Sequence, residues 1–261
     1  MSLKSFLPLM NNQKFKNLKK IIFTLLLTGI VSVSYGQVLQ ARVLNVDPQN
    51  MEKLGNAIAQ KTKLYNDKEG SARFFTFQIL TGPHTNDFYR VQWTETISDF
   101  DKSVNKEELD YWWKVTGKLH ESGPNRIFAV NEEATYQPED ATPVNHRRVL
   151  FYKLKPGHEN DFWNYRTRLK KALIAVNWPG RVGVMNCQSG CNGNWVSVRY
   201  HHRNYEMEAE ENSAMFPKVL EKYNEMFGQD AYEDDSKRLR LSVTESITQH
   251  QKLRPEMSSS W

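Results

Sequence analysis

An α+β protein assembled from two successive βαββαβ units is what this sequence predicts. Three observations predict it: a strand-to-helix signal that recurs 108 residues on (156 − 48 = 108), a hairpin-turn glycine that recurs at the same offset (190 − 82 = 108), and a glycine-stopped helix in each half. Arg42-Val43-Leu44-Asn45-Val46-Asp47-Pro48 reads as a strand entering a helix, with Asp47 as N-cap and Pro48 at the first helical position, where a missing N–H costs nothing. Leu150-Phe151-Tyr152-Lys153-Leu154-Lys155-Pro156 repeats the pattern. Met51, Leu54, Ile58 and Tyr65 then mark one helical face, as do Phe162, Tyr165, Leu169 and Leu173.

Each half next offers a hairpin. Residues 73–80 and 88–93 turn through Thr81-Gly82-Pro83-His84, and residues 181–187 and 195–200 turn through Gln188-Ser189-Gly190. Second helices carry Leu109, Trp112, Trp113 and Leu119 before Gly123, or Phe216, Val219, Tyr223 and Phe227 before Gly228. Trp112, Trp113 and Trp163 fall at core spacing. Closing strands are expected at 126–133 and 238–245, with a polar, proline-bearing linker between the halves. The organisation is therefore a first unit at 37–136, a linker at 137–146, a second unit at 147–250 and a flexible tail at 251–261.

Residues 1–36 read as a signal peptide. Lys4, Lys14, Lys16, Lys19 and Lys20 precede an apolar run from Ile21 to Val33, and Ser34 and Gly36 occupy the −3 and −1 positions of a cut before Gln37. That run is shorter than the roughly 20 helical residues a bilayer requires. A periplasmic or secreted protein without a membrane anchor is expected. Removing the five lysines leaves 35 − 5 = 30 basic against 30 acidic residues, so the mature chain lacks the positive field that gathers nucleic acid.

A βαββαβ unit folds as a four-stranded antiparallel sheet with both helices on one face, the ferredoxin-like plan, and leaves the other face bare. Two such units can bury their bare faces together. In this element order the chain resembles the dimeric α/β-barrel superfamily, with both units fused into one pseudo-dimeric barrel whose sheets pack face to face. That superfamily includes cofactor-independent monooxygenases, haem-degrading enzymes and small-molecule isomerases, so the resemblance implies a barrel able to hold a ligand and no particular reaction.

If Tyr89, Val91 and Trp93, with Val196, Val198 and Tyr200, face the helices, strand alternation turns Phe88, Arg90, Gln92, Trp195, Ser197, Arg199 and His201 inward. The closing strands add Phe128, Val130 and Glu132, and Arg240, Ser242 and Thr244. The ligand-binding candidates are Arg90, Arg199 and Arg240 for an anionic or carbonyl group, Phe88 and Trp195 for an apolar body, and Gln92 and His201 beside them. The bland alternative pairs these arginines with Glu132 or Glu245, or leaves them in solvent. His201 is the one candidate general base, set against an ordinary hydrogen-bonded histidine.

His201 and His202 are adjacent and point to opposite faces, and no metal-ligand spacing is present, so no metal is expected. Cys187 and Cys191 flank a three-residue turn, within disulfide reach in an oxidising compartment. Phosphate-cradling loops, a nucleophile elbow and a glycosidase carboxylate pair are missing from the sequence. Three readings remain. The first is an exported monomer or homodimer binding a small, partly apolar and in one form anionic ligand between the sheets; the second is an oxidative enzyme of the same plan, cofactor-independent or haem-dependent; the third is an interaction module without a cavity.

Overall fold

The computed structural model describes residues 37–102 and 105–260; the expected signal peptide lies outside the described residues. Strand β1 (Val38–Val46) leads into Asp47, whose carboxylate accepts from the Gln49 amide at 3.0 Å and caps a single 3-10 turn before helix α1 (Met51–Tyr65). β2 (Arg73–Ile79), β3 (Phe88–Thr94), α2 (Lys106–Thr116), a short β4 (His120–Ser122) and β5 (Arg126–Val130) complete the first half. The second half runs β6 (His146–Leu154), α3 (Glu159–Ala175), β7 (Val182–Ser189), β8 (Trp195–His202), α4 (Tyr205–Glu210), α5 (Phe216–Phe227), α6 (Ala231–Leu241) and β9 (Val243–Leu253). A π-helical turn, Glu211–Met215, joins α4 to α5.

Every strand pairing is antiparallel. The order β5-β1-β3-β2 in the first half matches β9-β6-β8-β7 in the second. Two seams join the halves, β2 to β9 through Phe77↔Leu253 and Ile79↔Gln251, and β5 to β7 through Phe128↔Cys187 and Val130↔Met185. The result is a closed eight-stranded barrel, with β4 attached outside it to the end of β1. The expected face-to-face packing takes the form of closure because β2 and β5 would otherwise leave unpaired edges.

Apolar residues sort into an inner core and two outer layers. Leu39, Ala41, Phe77, Phe128, Phe151 and Met185 face the barrel interior. Outside the first half, Leu54, Ile58 and Trp112 of α1 and α2 pack on Leu44 and Phe88. Outside the second, Phe162, Leu169, Val219 and Tyr223 of α3 and α5 pack on Val182, Val184, Val196 and Val198.

Two expectations are corrected. Residues 238–241, read as the start of the last strand, belong to α6, so Arg240 is exposed on a helix and lines no barrel. Glu233 and Asp234 in its first turn and Arg238 and Arg240 in its last complement the helix dipole, and buried Asp235 ties it down through Arg168 at 2.8 Å and the Tyr223 hydroxyl at 2.6 Å. The last strand accordingly shifts to Val243–Leu253 and takes the first three residues of the expected flexible tail. The rest of that tail is docked: Met257 is fully buried beside α1, its carbonyl accepts from Thr62, Thr76 and Arg90, and the Ser258 and Ser259 hydroxyls accept from the β2 amides of Thr76 and Phe74. Among the described residues no helix is long and apolar enough to cross a membrane.

Candidate functional site

Strand register assembles a polar wall inside the second half. Gln251 on β9 lies opposite Arg147 on β6, Arg147 lies opposite His201 on β8, and the His201 amide donates to the Arg181 carbonyl at 3.0 Å just before β7. The next inward row is Gln249, Val149, Arg199 and Gly183. Neighbours along such a row stand about 5 Å apart at Cβ, so the three guanidiniums and the imidazole share one end of the barrel. Below them Phe151, Ser197 and Met185, then Trp195 and Cys187, turn the interior apolar.

Among the described residues the arginines here have no acidic partner. Arg147, 4% exposed, donates from Nε and Nη2 to the Gln251 carbonyl oxygen at 2.8 and 2.6 Å and stacks on Phe77 at 3.3 Å. Arg199, 2% exposed, donates from Nε to Ser197 Oγ at 3.3 Å and lies against the Tyr89 hydroxyl. Arg181 is partly buried with its Nε unpartnered. Burial first, then the neighbouring guanidiniums, pull the pKa of Arg147 well down; burial, and then Arg181, pull Arg199 down against the Tyr89 phenol from β3. Burial and then Arg147, Arg181, Arg199 and His202 hold His201 well below the usual histidine range, so it is neutral. The Gln251 amide nitrogen is buried without a partner. Buried polar groups are ordinarily satisfied, so under-satisfied donors at this end of the barrel depart from the usual pattern. A Cβ added at Gly183 would sit in ordinary van der Waals contact with Arg199 and Met185 at 3.9 Å.

Of the residues singled out from sequence, Trp195, Arg199 and His201 meet here. Phe88, Arg90 and Gln92 do not: β3 turns Tyr89 and Val91 inward, which places the even-numbered residues beneath the helices. Arg90 is held there by Thr76 Oγ1 at 2.7 Å, Thr62 and the Met257 carbonyl, with Lys61, Asn66 and Glu108 close by. Burial, then Arg42, brings Arg90 down to about 9, and burial, then Arg90, brings Lys61 down to about 8. Glu245 pairs with Lys153 at 2.7 Å, on the barrel's other end. Arg147 and Arg181 escaped the sequence reading, although Arg147 keeps step with Val149 and Phe151, and Arg181 with Gly183 and Met185. The apolar end is stapled by the Cys187–Cys191 disulfide, while Asn192 Oδ1 accepts from Trp195 Nε1 at 3.0 Å. A separate cleft of about 510 Å³, lined by Asp47, Asp87, Lys118, His120 and Glu121 among others, lies on the first half and carries both signs of charge.

No family model and no curated protein matches the chain. Solved structures do. An anthrone oxidase-like protein superposes with a TM-score of 0.54 at 14% identity, covering 86% of this chain and 94% of that one. A protein proposed to be a monooxygenase, from Fusobacterium nucleatum subsp. nucleatum, gives 0.58 at 12% identity over 84% and 92%. Chlorite dismutase from Candidatus Nitrospira defluvii, in complex with imidazole, gives 0.52 at 9% over 86% and 94%. The fold is that of the dimeric α/β-barrel superfamily. At these identities the likeness carries the fold alone.

Some dimeric α/β-barrel proteins use haem, which needs an open axial ligand beside a flat apolar slot. His201 faces guanidiniums rather than an apolar slot. His202, on the opposite face, is 3% exposed with Nδ1 on Glu211 Oε2 at 2.8 Å, and the space between its sheet and helices α3 and α5 is filled by Phe162, Tyr165, Val219 and Tyr223. These residues do not fit haem.

Proposed function

We propose that this chain is an exported protein whose barrel binds a small, partly apolar anion. Residues 1–36 serve as a cleaved leader, and the two halves are fused ferredoxin-like units. The observation that carries the reading is the set of Arg147, Arg181 and Arg199 inside one barrel end with no carboxylate acting on any of them. An unpaired interior charge is costly, and a bound anion is the simplest group that would offset it. Phe77, Phe151 and Trp195 supply the apolar surface for the rest of the ligand. Eight-stranded barrels hold at most one small ligand, which bounds its size.

A thermal-shift titration of the mature protein with 1-naphthoate tests this. Stabilisation by the ligand should disappear in Arg199→Gln and persist in Arg240→Ala, which alters an exposed helix residue. Stabilisation that survives in Arg199→Gln would put the ligand elsewhere. A second reading, a cofactor-independent oxidative enzyme, draws on the neutral His201 as a proton acceptor beside cations that would stabilise the resulting anion, and on what the anthrone oxidase-like relative is named for. Oxygen uptake with anthrone, abolished in His201→Gln, would support it; no uptake above the uncatalysed rate would dismiss it.

A further inference from the structure

The charge inside the barrel can be counted, and the count says more than that the ligand is negative. Around His201 stand Arg147 from β6, Arg199 and His202 on its own strand, and Arg181 at the entry to β7. Tyr89 from β3 faces Arg147 and Arg199, and β9 contributes only Gln249 and Gln251. Among the described residues no acidic side chain acts electrostatically on any of the three arginines. The interior therefore holds three formal positive charges and a neutral imidazole. A singly charged ligand would leave two guanidiniums uncompensated in a low-dielectric space, where like charges repel most strongly.

The hydrogen-bond inventory points the same way. Arg181 Nε and Gln251 Nε2 are unpartnered, and the Arg199 guanidinium has only Ser197 and the Tyr89 hydroxyl beside it; these groups come from four different strands or strand ends. A single carboxylate offers two oxygens in one plane and suits one guanidinium edge. Donors spread over four elements call for more acceptor oxygens than that.

We propose that the ligand of the barrel is a doubly charged anion, bearing either two carboxylates or one phosphoryl group, with its charges against Arg147, Arg181 and Arg199. This rests on the barrel-binding reading above and fixes the charge of what binds. His201 completes the balance. In the empty barrel burial first and then the guanidiniums keep it unprotonated; two negative charges offset the second of these, so a dianion raises the proton affinity of His201 more than a monoanion does.

The test is isothermal titration of the purified mature protein with benzoate, phthalate and phenyl phosphate, near pH 6.5, in two cationic buffers of different ionisation enthalpy. Phthalate or phenyl phosphate should bind about tenfold or more tightly than benzoate, with uptake of up to about one proton; whichever dianion prevails identifies the head group. Arg199→Gln and, separately, Arg181→Gln should collapse that preference, with circular dichroism checking that each variant is folded. His201→Gln should abolish the proton uptake and keep the preference. If benzoate binds as tightly as both dianions, the charge count is wrong while barrel binding stands. If none of the three binds, or all three bind Arg199→Gln as tightly as they bind the parent, barrel binding itself falls and the dianion with it.

Discussion

Replacing Arg199 by methionine separates a residue kept for a ligand from one kept for the fold. The guanidinium is 2% exposed, donates to Ser197 Oγ at 3.3 Å, and has no acidic partner among the described residues. Losing that bond costs about 0.5–1.5 kcal/mol. Exchanging a buried charged group for an apolar one of similar volume returns about 1–4 kcal/mol. The net expectation is a gain of about 1–2 kcal/mol, which in a chain of this size raises the melting temperature by about 3–6 °C. Differential scanning calorimetry without added ligand measures it. With saturating ligand the order should invert, because ligand at about 100 times its Kd stabilises the parent by about 2.7 kcal/mol and the variant by nothing. A ligand-free Arg199→Met protein that melts several degrees lower would show that the arginine supports the barrel, and the anion argument would lose its footing.

Other parts of the molecule yield three further expected outcomes. Replacing Cys187 and Cys191 together by serine should lower stability by about 2 kcal/mol, the loop-entropy value for so short a ring, seen as a fall of about 4–8 °C in melting temperature. Met257→Ala removes a fully buried side chain and should destabilise by about 2–5 kcal/mol in urea, whereas a loosely attached tail would give no change. Lys61 has a folded-state pKa of about 8 against 10.5 in the unfolded chain, so between those values the unfolded state holds more protons and stability grows as pH rises. Urea midpoints for the parent relative to Lys61→Met should therefore move in the parent's favour from pH 8 to 10.5, and a flat difference would contradict the shift.

Element order was legible in the sequence because each half announces its strand-to-helix entry, its turn glycine and its helical apolar face. Facing was harder. β8 has one clearly apolar face, Val196 and Val198, and its inward set of Trp195, Arg199 and His201 is read off directly. β3 is lined with large apolar groups on both faces, Phe88 under the helices and Tyr89, Val91 and Trp93 inside, so alternation alone cannot choose. Matching it to β8 one residue out of step reverses every side chain and sent Phe88, Arg90 and Gln92 to the wrong face. The run Lys237-Arg238-Leu239-Arg240-Leu241 alternates like a strand, but the acidic first turn and the buried Asp235 anchor make it a helix. Arg147 fell at the border of the expected linker, where no alternation had yet been established.

Because all eight strands of the barrel belong to one chain, its two walls are free to differ. A twofold assembly of half-length subunits must repeat every inward cation across the axis, which doubles the charge and makes either orientation of a bound molecule equivalent. Here Arg147, Arg181 and Arg199 all come from one half, and the facing strands β1, β2 and β3 bring mostly hydrocarbon and aromatic rings. One wall of the chamber is thereby cationic and the other apolar, and its two sides are not interchangeable.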